Sequence, residues 1–260
     1  MGDKGKGKMI LQRNKLKILA VGAHPDDVEL GCGATLASFE REGHETYVLA
    51  LTRGEASGDP ILRENECKRS CSHLFLKKLF FGNLKDTKIT EGVETVMEIE
   101  NVIKTIEPDI VFSHSSKDGH QDHRNAGLAC LSAARTTKRV LLYESPAALR
   151  EFCPQVFVDV TSTFRAKLEA LKEYGSQASK VFFKGNSHVD ESSKFPVVSN
   201  AVEGLARFRG FQAGVSLAEA FEVGKYIMDI PSVFEFSEPL VGTKAKQSLR
   251  LKSEPNWKAY

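Results

Sequence analysis

The chain has 260 residues and a nearly balanced charge, with 36 lysines and arginines against 34 aspartates and glutamates. With 41% hydrophobic and 27% charged residues, it has the composition of a globular protein, which excludes a disordered or fibrous chain. The length excludes a disulfide-stapled miniprotein, and a formal net charge of +2 gives no argument for binding nucleic acid.

Short apolar runs alternate with helical patterns along most of the chain. The first run, Ile18–Gly22, is uninterrupted, as in a parallel strand that is buried on both faces. Further strands are predicted at residues 47–51, 79–81, 109–112, 140–143 and 156–158. Helices are predicted over about residues 26–39, 61–75, 93–106, 121–134 and 162–174. This order predicts an α/β fold with a doubly wound, mostly parallel sheet and helices on both faces.

The composition along the chain predicts one domain with two basic ends. We expect a flexible basic tail over residues 1–15, a single domain over 16–236 and a poorly ordered basic tail over 237–260. Residues 176–200 are polar and weakly patterned, which predicts a long surface excursion. No apolar stretch is long enough to cross a bilayer, and no secretory signal is evident. Five cysteines without a C-x-x-C pair favour a reducing, cytoplasmic location.

The sheet also predicts where a functional site would lie. In doubly wound sheets, ligands bind outside the carboxyl ends of the strands. Residues 22–31, 52–63 and 113–124 follow the first, second and fourth predicted strands. We therefore expect the reactive side chains in these three segments.

The segment after the first strand places an imidazole and two carboxylates within four positions: His24, Asp26 and Asp27. Such ligands favour zinc, with manganese, iron or nickel as alternatives. Neighbouring side chains at a strand-to-helix turn point in different directions. We therefore expect one aspartate to bind the ion and the other to act on a water molecule. The alternative, in which both aspartates only cap the following helix, leaves His24 unexplained.

A second polar segment, His114–Arg124, follows the fourth strand and opens a helix. His120 and His123 are three residues apart, so both can face one pocket. Asp122 between them can orient an imidazole. Solvated histidines on a polar loop are the alternative, but both polar segments fall where the sheet predicts a site. Together they supply three metal ligands and further acid–base groups.

Other polar and sulfur-containing residues are weaker candidates. Four charged residues after the second strand form either a solvated helix face or a site for a polar substrate: Arg53, Glu55, Arg63 and Glu66. Residues 31–33 invite a dinucleotide site, but G-x-G-x-x-G is not met and the two aspartates would repel a pyrophosphate. The five cysteines are expected to be small buried or half-buried residues.

The two polar segments together resemble the PIG-L/LmbE-like family of N-acetylglucosamine deacetylases. The residues that carry the resemblance are Gly22–Gly31 and His120–His123. Further matches occur in the family's order: Leu51–Glu55, Arg63 with Glu66, Pro108–Val111, Ser176 with Gln177, and Ala218–Phe221. The resemblance covers about residues 16–224. It implies a Rossmann-like fold and a zinc-dependent hydrolysis of the N-acetyl group of an amino sugar.

The resemblance also assigns roles, position by position. The metal ligands, for Zn²⁺ or another divalent transition metal, would be His24, Asp27 and His123. Asp26 would be the general base. His120, as an imidazolium, would stabilise the oxyanion, with Asp122 behind it.

The sequence defines the substrate-binding residues less clearly than the metal ligands. Arg63 resembles the family's substrate-binding arginine, and Arg53 is a further candidate for that role. Tyr174 stands where many members have a histidine. The expected partner is a small amino-sugar conjugate, without nucleic acid, and the family implies a homo-oligomer. A metal-holding protein that binds a sugar or nucleotide sugar without turnover is the alternative. A two-metal phosphoesterase is disfavoured because it would need more carboxylates.

Overall fold

A computed structural model of the protein describes residues 15–177 and 191–228. Over residues 191–198 it describes the backbone alone. Seven strands in the described ranges form one sheet: β1 (Lys17–Gly22), β2 (Glu45–Ala50), β3 (Lys78–Phe81), β4 (Ile110–His114), β5 (Arg139–Tyr143), β6 (Val156–Asp159) and β7 (Ala218–Tyr226). Their order across the sheet is β3-β2-β1-β4-β5-β7-β6. The first five pair in parallel, and β7 runs antiparallel to both β5 and β6. The predicted mostly parallel sheet is therefore confirmed.

Within the described residues, six α-helices cover the two faces of this sheet. They are α1 (Asp27–Arg41), α2 (Pro60–His73), α3 (Val93–Ile106), α4 (Gln121–Ala133), α5 (Phe164–Lys172) and α6 (Glu191–Ala213). Successive side chains of a strand point to opposite faces. In β1, Leu19 and Val21 accordingly pack into a core with residues of α3 and α4, whereas Ile18 and Ala20 pack into a core with residues of α1. The uninterrupted apolar run of β1 follows from burial on both sides.

The chain also contains elements that the sequence pattern does not predict. β7 is not predicted because it carries Glu219 and Glu222, and charged residues are not typical of a buried strand. The two glutamates are buried in ion pairs with Lys167 and Lys117. Residues 191–200 of the predicted surface excursion belong to α6. Residues 178–190 of that segment lie outside the described residues. The two predicted tails also lie outside them, with the exception of Lys15.

α1 contains a local break near its middle. Cys32 has non-helical backbone angles, φ −144° and ψ 17°. The carboxylate of Glu219 accepts hydrogen bonds from the backbone N–H groups of Ala34 (3.2 Å) and Thr35 (2.7 Å), just after the break. A strand near the end of the described chain thus completes the helix that follows β1. In the part of the chain that the structure describes, no helix is long and apolar enough to span a membrane.

Candidate active site

The polar segments that follow β1 and β4 meet at the carboxyl edge of the sheet. The sharp turn after β1 begins α1 at Asp27, and α4 begins at Gln121, as predicted. Gly31 is required in the first turns of α1, because a Cβ atom there would lie 2.2 Å from the ring of Tyr143. The hydroxyl of Tyr143 in turn donates to the carbonyl of Val21 at 2.9 Å. This close packing holds the start of α1 against the ends of the strands.

Three side chains converge at the centre of this edge: His24, Asp27 and His123. Nδ1 of His24 lies 3.3 Å from Oδ2 of Asp27, and Nε2 of His123 lies 3.2 Å from Oδ1. The ligand-type atoms of the three residues all lie within 4.8 Å of one another. All three side chains are largely buried.

Carboxylates hold the far nitrogen of each imidazole. Nε2 of His24 lies 3.0 Å from Oδ1 of Asp86 and 3.2 Å from Oδ2 of Asp122. Nδ1 of His123 lies 3.1 Å from Oδ2 of Asp118. This arrangement leaves Nδ1 of His24 and Nε2 of His123 directed at Asp27. Imidazoles that are oriented from behind by carboxylates are typical of metal ligands, so the donor set fits a divalent cation.

Asp26 occupies the residue before α1 in a left-handed conformation, with φ 101°. This conformation is rare for a residue other than glycine, and strain of this kind often marks functional sites. Its side chain makes no capping hydrogen bond with the described residues, which counts against the alternative in which both aspartates only cap the helix. Burial raises the pKa of Asp26 to about 7, although the charge of Arg63 opposes this effect. A carboxylate with such a pKa is suited to accept a proton near neutral pH.

Arg63 is buried beside Asp26, with 3% of its surface exposed. Its guanidinium donates to the carbonyls of Gly54 and Pro25, both at 2.8 Å, and lies 3.5 Å from Oδ2 of Asp26. Gly54 has a positive φ of 67° and leaves no space for a Cβ atom, which would overlap the guanidinium. Arg63 therefore ties the loops after β1 and β2 together.

Arg53 is not part of this cluster. Its side chain donates to Glu64 at 3.1 Å and to the carbonyl of Gly82 at 2.9 Å, and it lies over the ring of Phe81. The two arginines proposed for substrate binding are thus both engaged by protein groups, one inside the site and one beside it.

His120 lies next to His24, with a distance of 5.0 Å between the ring centroids. As the residue that caps α4, it accepts a hydrogen bond at Nδ1 from the backbone N–H of Asp122 at 3.2 Å. An imidazole whose Nδ1 accepts a hydrogen bond is neutral and carries its hydrogen on Nε2. This hydrogen bond and burial, which lowers the pKa of His120, favour a neutral imidazole, whereas the resemblance implies an imidazolium. The carboxylate of Asp122 orients an imidazole as predicted, but that imidazole is His24.

Three residues of the cluster were not given a role from the sequence: His114, Asp86 and Asp118. His114 lies inside β4, fully buried, with its ring stacked on that of His123 at 4.1 Å and Nε2 3.2 Å from Oδ2 of Asp27. Burial lowers the pKa of His114 to about 4, so it stays neutral. His114 and Asp118 lie within the second polar segment, so the sequence does place them near the predicted site. Asp86 lies in a loop after β3 that has no motif of its own.

The chain was compared with known proteins by sequence and by structure. It matches the sequence profile of the PIG-L family, described as GlcNAc-PI de-N-acetylase, over residues 19–134. It is 36% identical over 177 residues to the "Uncharacterized deacetylase YaiS" of Escherichia coli, an alignment that covers 65% of this chain and 96% of that protein. It is 28% identical over 186 residues to diacetylchitobiose deacetylase of Thermococcus kodakarensis, with coverage of 62% and 70%.

A solved structure with the same fold is the conserved protein TT1542 from Thermus thermophilus. Its TM-score is 0.71 at 26% identity, and the match covers 83% of this chain and 98% of that one. Sequence and fold agree with the site in defining the class of protein. The chain belongs to the PIG-L family of LmbE-like deacetylases, as the resemblance implied.

Proposed function

We propose that the protein is a zinc-dependent hydrolase that removes the N-acetyl group from a small GlcNAc-type sugar conjugate. The observation that carries this proposal is the convergence of His24 and His123 on Asp27, with the far nitrogen of each imidazole held by a carboxylate. The names of two relatives, a diacetylchitobiose deacetylase and a second deacetylase, support the reaction class.

His24, Asp27 and His123 would hold the metal ion. Two imidazoles and one carboxylate form the three-ligand set of catalytic zinc sites, and other divalent transition metals accept the same donors. When bound, such an ion polarises a carbonyl group and lowers the pKa of water to about 7.

Asp26 and His120 supply the acid–base and electrostatic parts of the reaction. The Asp26 carboxylate takes a proton from the attacking water and delivers it to the leaving amine nitrogen, so that an amide becomes an amine and acetate. Nε2–H of His120 donates to the oxygen that gains negative charge in the tetrahedral state. Asp122 acts through His24, whose Nε2 it holds, and not through the ring of His120.

Arg63 acts as a positioning residue in this scheme. Its hydrogen bonds to the carbonyls of Gly54 and Pro25 hold the turn in which Asp26 adopts its left-handed conformation. All five cysteines are free thiols. Free thiols fit a reducing compartment, and we propose that the enzyme works in the cytoplasm.

The test is release of acetate from a panel of N-acetylglucosamine conjugates by protein stripped with a chelator and reloaded with Zn²⁺. We expect the reloaded protein to release acetate and a free amine, identified by mass spectrometry. We expect His24→Ala to lose activity and the zinc that His24, Asp27 and His123 would hold, while His73→Gln on the surface retains both. Sugar binding without any product across the panel would instead support the non-catalytic binding protein.

A further inference from the structure

A second group of ligand-type side chains lies between α1 and α2, apart from the centre described above. It consists of Glu29 on α1 and of Cys67 and Cys71 on α2. The carboxylate and the two sulfur atoms all lie within 4.8 Å of one another. The exposed fractions of these residues are 1%, 1% and 7%. The proposed deacetylation uses none of them.

The spacing of the two cysteines explains why they share this position. Residues four apart on a helix lie on the same face, so both thiols point at α1. Packing alone would account for two small buried thiols, which are common in protein cores. It does not account for a buried carboxylate beside them, because burying a carboxylate without a cation is costly.

Two hydroxyl groups orient this carboxylate. Ser70 and Tyr174 both donate to Oε1 of Glu29, at 2.8 and 2.7 Å. Hydrogen bonds of this kind to a carboxylate are typical of the groups that surround a metal ligand. The cluster thus combines two sulfur ligands, one oriented oxygen ligand and supporting hydroxyls.

We propose that Glu29, Cys67 and Cys71 form a second metal site, which takes a thiophilic divalent cation of the Zn²⁺ and Cd²⁺ class. Thiolate ligands select such ions over magnesium or calcium. On binding, two S–H bonds break, two metal–sulfur bonds form, and both protons pass to solvent. The two thiolates and the Glu29 carboxylate offset the charge of the ion. This site does not rest on the proposed deacetylase function.

Occupancy of this site would join the two helices that hold the reactive carboxylate. Asp26 lies three residues before Glu29, and Arg63 lies four residues before Cys67. The ion would therefore link the start of α1 to the face of α2 that carries Arg63.

The experiment uses the optical absorption of cadmium–thiolate bonds in the ultraviolet. Full-length protein is fully reduced, stripped with a chelator and titrated with Cd²⁺. The centre at His24 contains no sulfur, so ion binding there adds nothing to this signal. We expect absorption that saturates at no more than two added Cd²⁺ per chain, since the centre at His24 also takes up the ion, and that is displaced by Zn²⁺.

Variants assign the signal to the three residues. Cys67→Ser and Cys71→Ser should each reduce it severely, and Glu29→Gln should weaken Cd²⁺ binding by about tenfold or more. Cys153→Ser, at an exposed cysteine, and His24→Ala should both retain it. Absence of the signal in the reduced wild-type protein overturns the proposal, whatever the variants do. A signal unchanged in folded Cys67→Ser and Cys71→Ser proteins overturns it as well.

Discussion

Asp27 and Glu29 are two carboxylates on the same helix, two residues apart and both buried, yet they lie in opposite electrostatic environments. Asp27 is surrounded by imidazoles. Burial acts to raise its pKa, but the charge of His123 and the hydrogen bonds from His114 and His123 hold this pKa well below its usual range. Glu29 is surrounded by hydroxyls and thiols. Burial raises its pKa, and the hydrogen bonds from Tyr174 and Ser70 only oppose this effect.

The contrast shows that the partners of a buried carboxylate can reverse the effect of burial on its pKa. The charge of His123 lowers the pKa of Asp27 despite burial, whereas the hydrogen bonds to Glu29 do not outweigh burial. We therefore expect substitutions at the Asp27 end of α1 to change turnover and metal binding. Substitutions at the Glu29 end should leave turnover nearly unchanged and should alter the free energy of unfolding and ion binding at the proposed second site. The following predictions test this division, beginning with the largest effect.

Asp26→Asn should lower kcat by about 10²–10⁴-fold, because the amide cannot take a proton from water. Bound zinc, measured by metal analysis, should stay at the wild-type level. Asp159→Asn, at an exposed position on β6, is the matched control. A kcat within threefold of the wild type would remove Asp26 from the reaction.

His120→Ala should lower kcat by about 10²–10³-fold with little change in KM, since its hydrogen bond strengthens only as the oxyanion forms. Steady-state kinetics of acetate release measures both constants. His73→Gln, at a surface histidine paired with Glu173, should leave them unchanged. An increase in KM alone would instead place His120 in ground-state binding.

Asp86→Asn should weaken zinc binding by about 10–100-fold, because Asp86 holds the far nitrogen of His24. Competition with a chelator of known affinity measures this change. If affinity is unaltered while activity falls, Asp86 would act on substrate and not on the orientation of His24.

Arg63→Gln should shift the acid limb of the kcat/KM profile to higher pH by about one unit. A neighbouring opposite charge usually changes the pKa of a carboxyl group by about one unit or more. The sign follows from the role of Asp26, which must be deprotonated to act as a base. Arg63 favours the charged form, so its removal raises the pKa of Asp26. Arg53→Gln should not move the limb, because Arg53 pairs with Glu64. A downward shift would contradict the assignment.

Tyr174→Phe should reduce the free energy of unfolding by about 1 kcal/mol through loss of one buried hydrogen bond to Glu29. Urea denaturation measures the loss, and Tyr226→Phe, at a tyrosine that is 51% exposed, is the control. Turnover should stay within about twofold of the wild type. A large loss of turnover without loss of stability would contradict the different roles assigned to the two ends of α1.

Much of the fold was predictable because local patterns carry it. β1 is an uninterrupted apolar run since both its faces are buried, and the helix that Pro108 follows is strongly periodic. β7 was not predictable from its own residues, because Glu219 and Glu222 are buried only against lysines far away in the sequence.

The candidate site likewise contains residues that local motifs predict and residues that they do not predict. His24, Asp27 and His123 lie in two short motifs, and the parallel sheet brings the motifs together. The carboxylates behind them depend on long-range packing: Asp86 lies 62 residues from His24 in the sequence. The resemblance implies that Asp122 lies behind His120, two residues before it, whereas the fold turns this carboxylate to His24.

The break in α1 at Cys32 has a consequence for how the protein is made. The helix resumes after the break with two backbone N–H groups held by Glu219, which follows Ala34 and Thr35 by more than 180 residues. Contacts of such long sequence separation form late and slow the folding of a domain. On the ribosome, a nascent chain carries both histidine motifs long before Glu219 emerges. We therefore expect metal binding and turnover to appear only after β7 has been synthesised and inserted between β5 and β6.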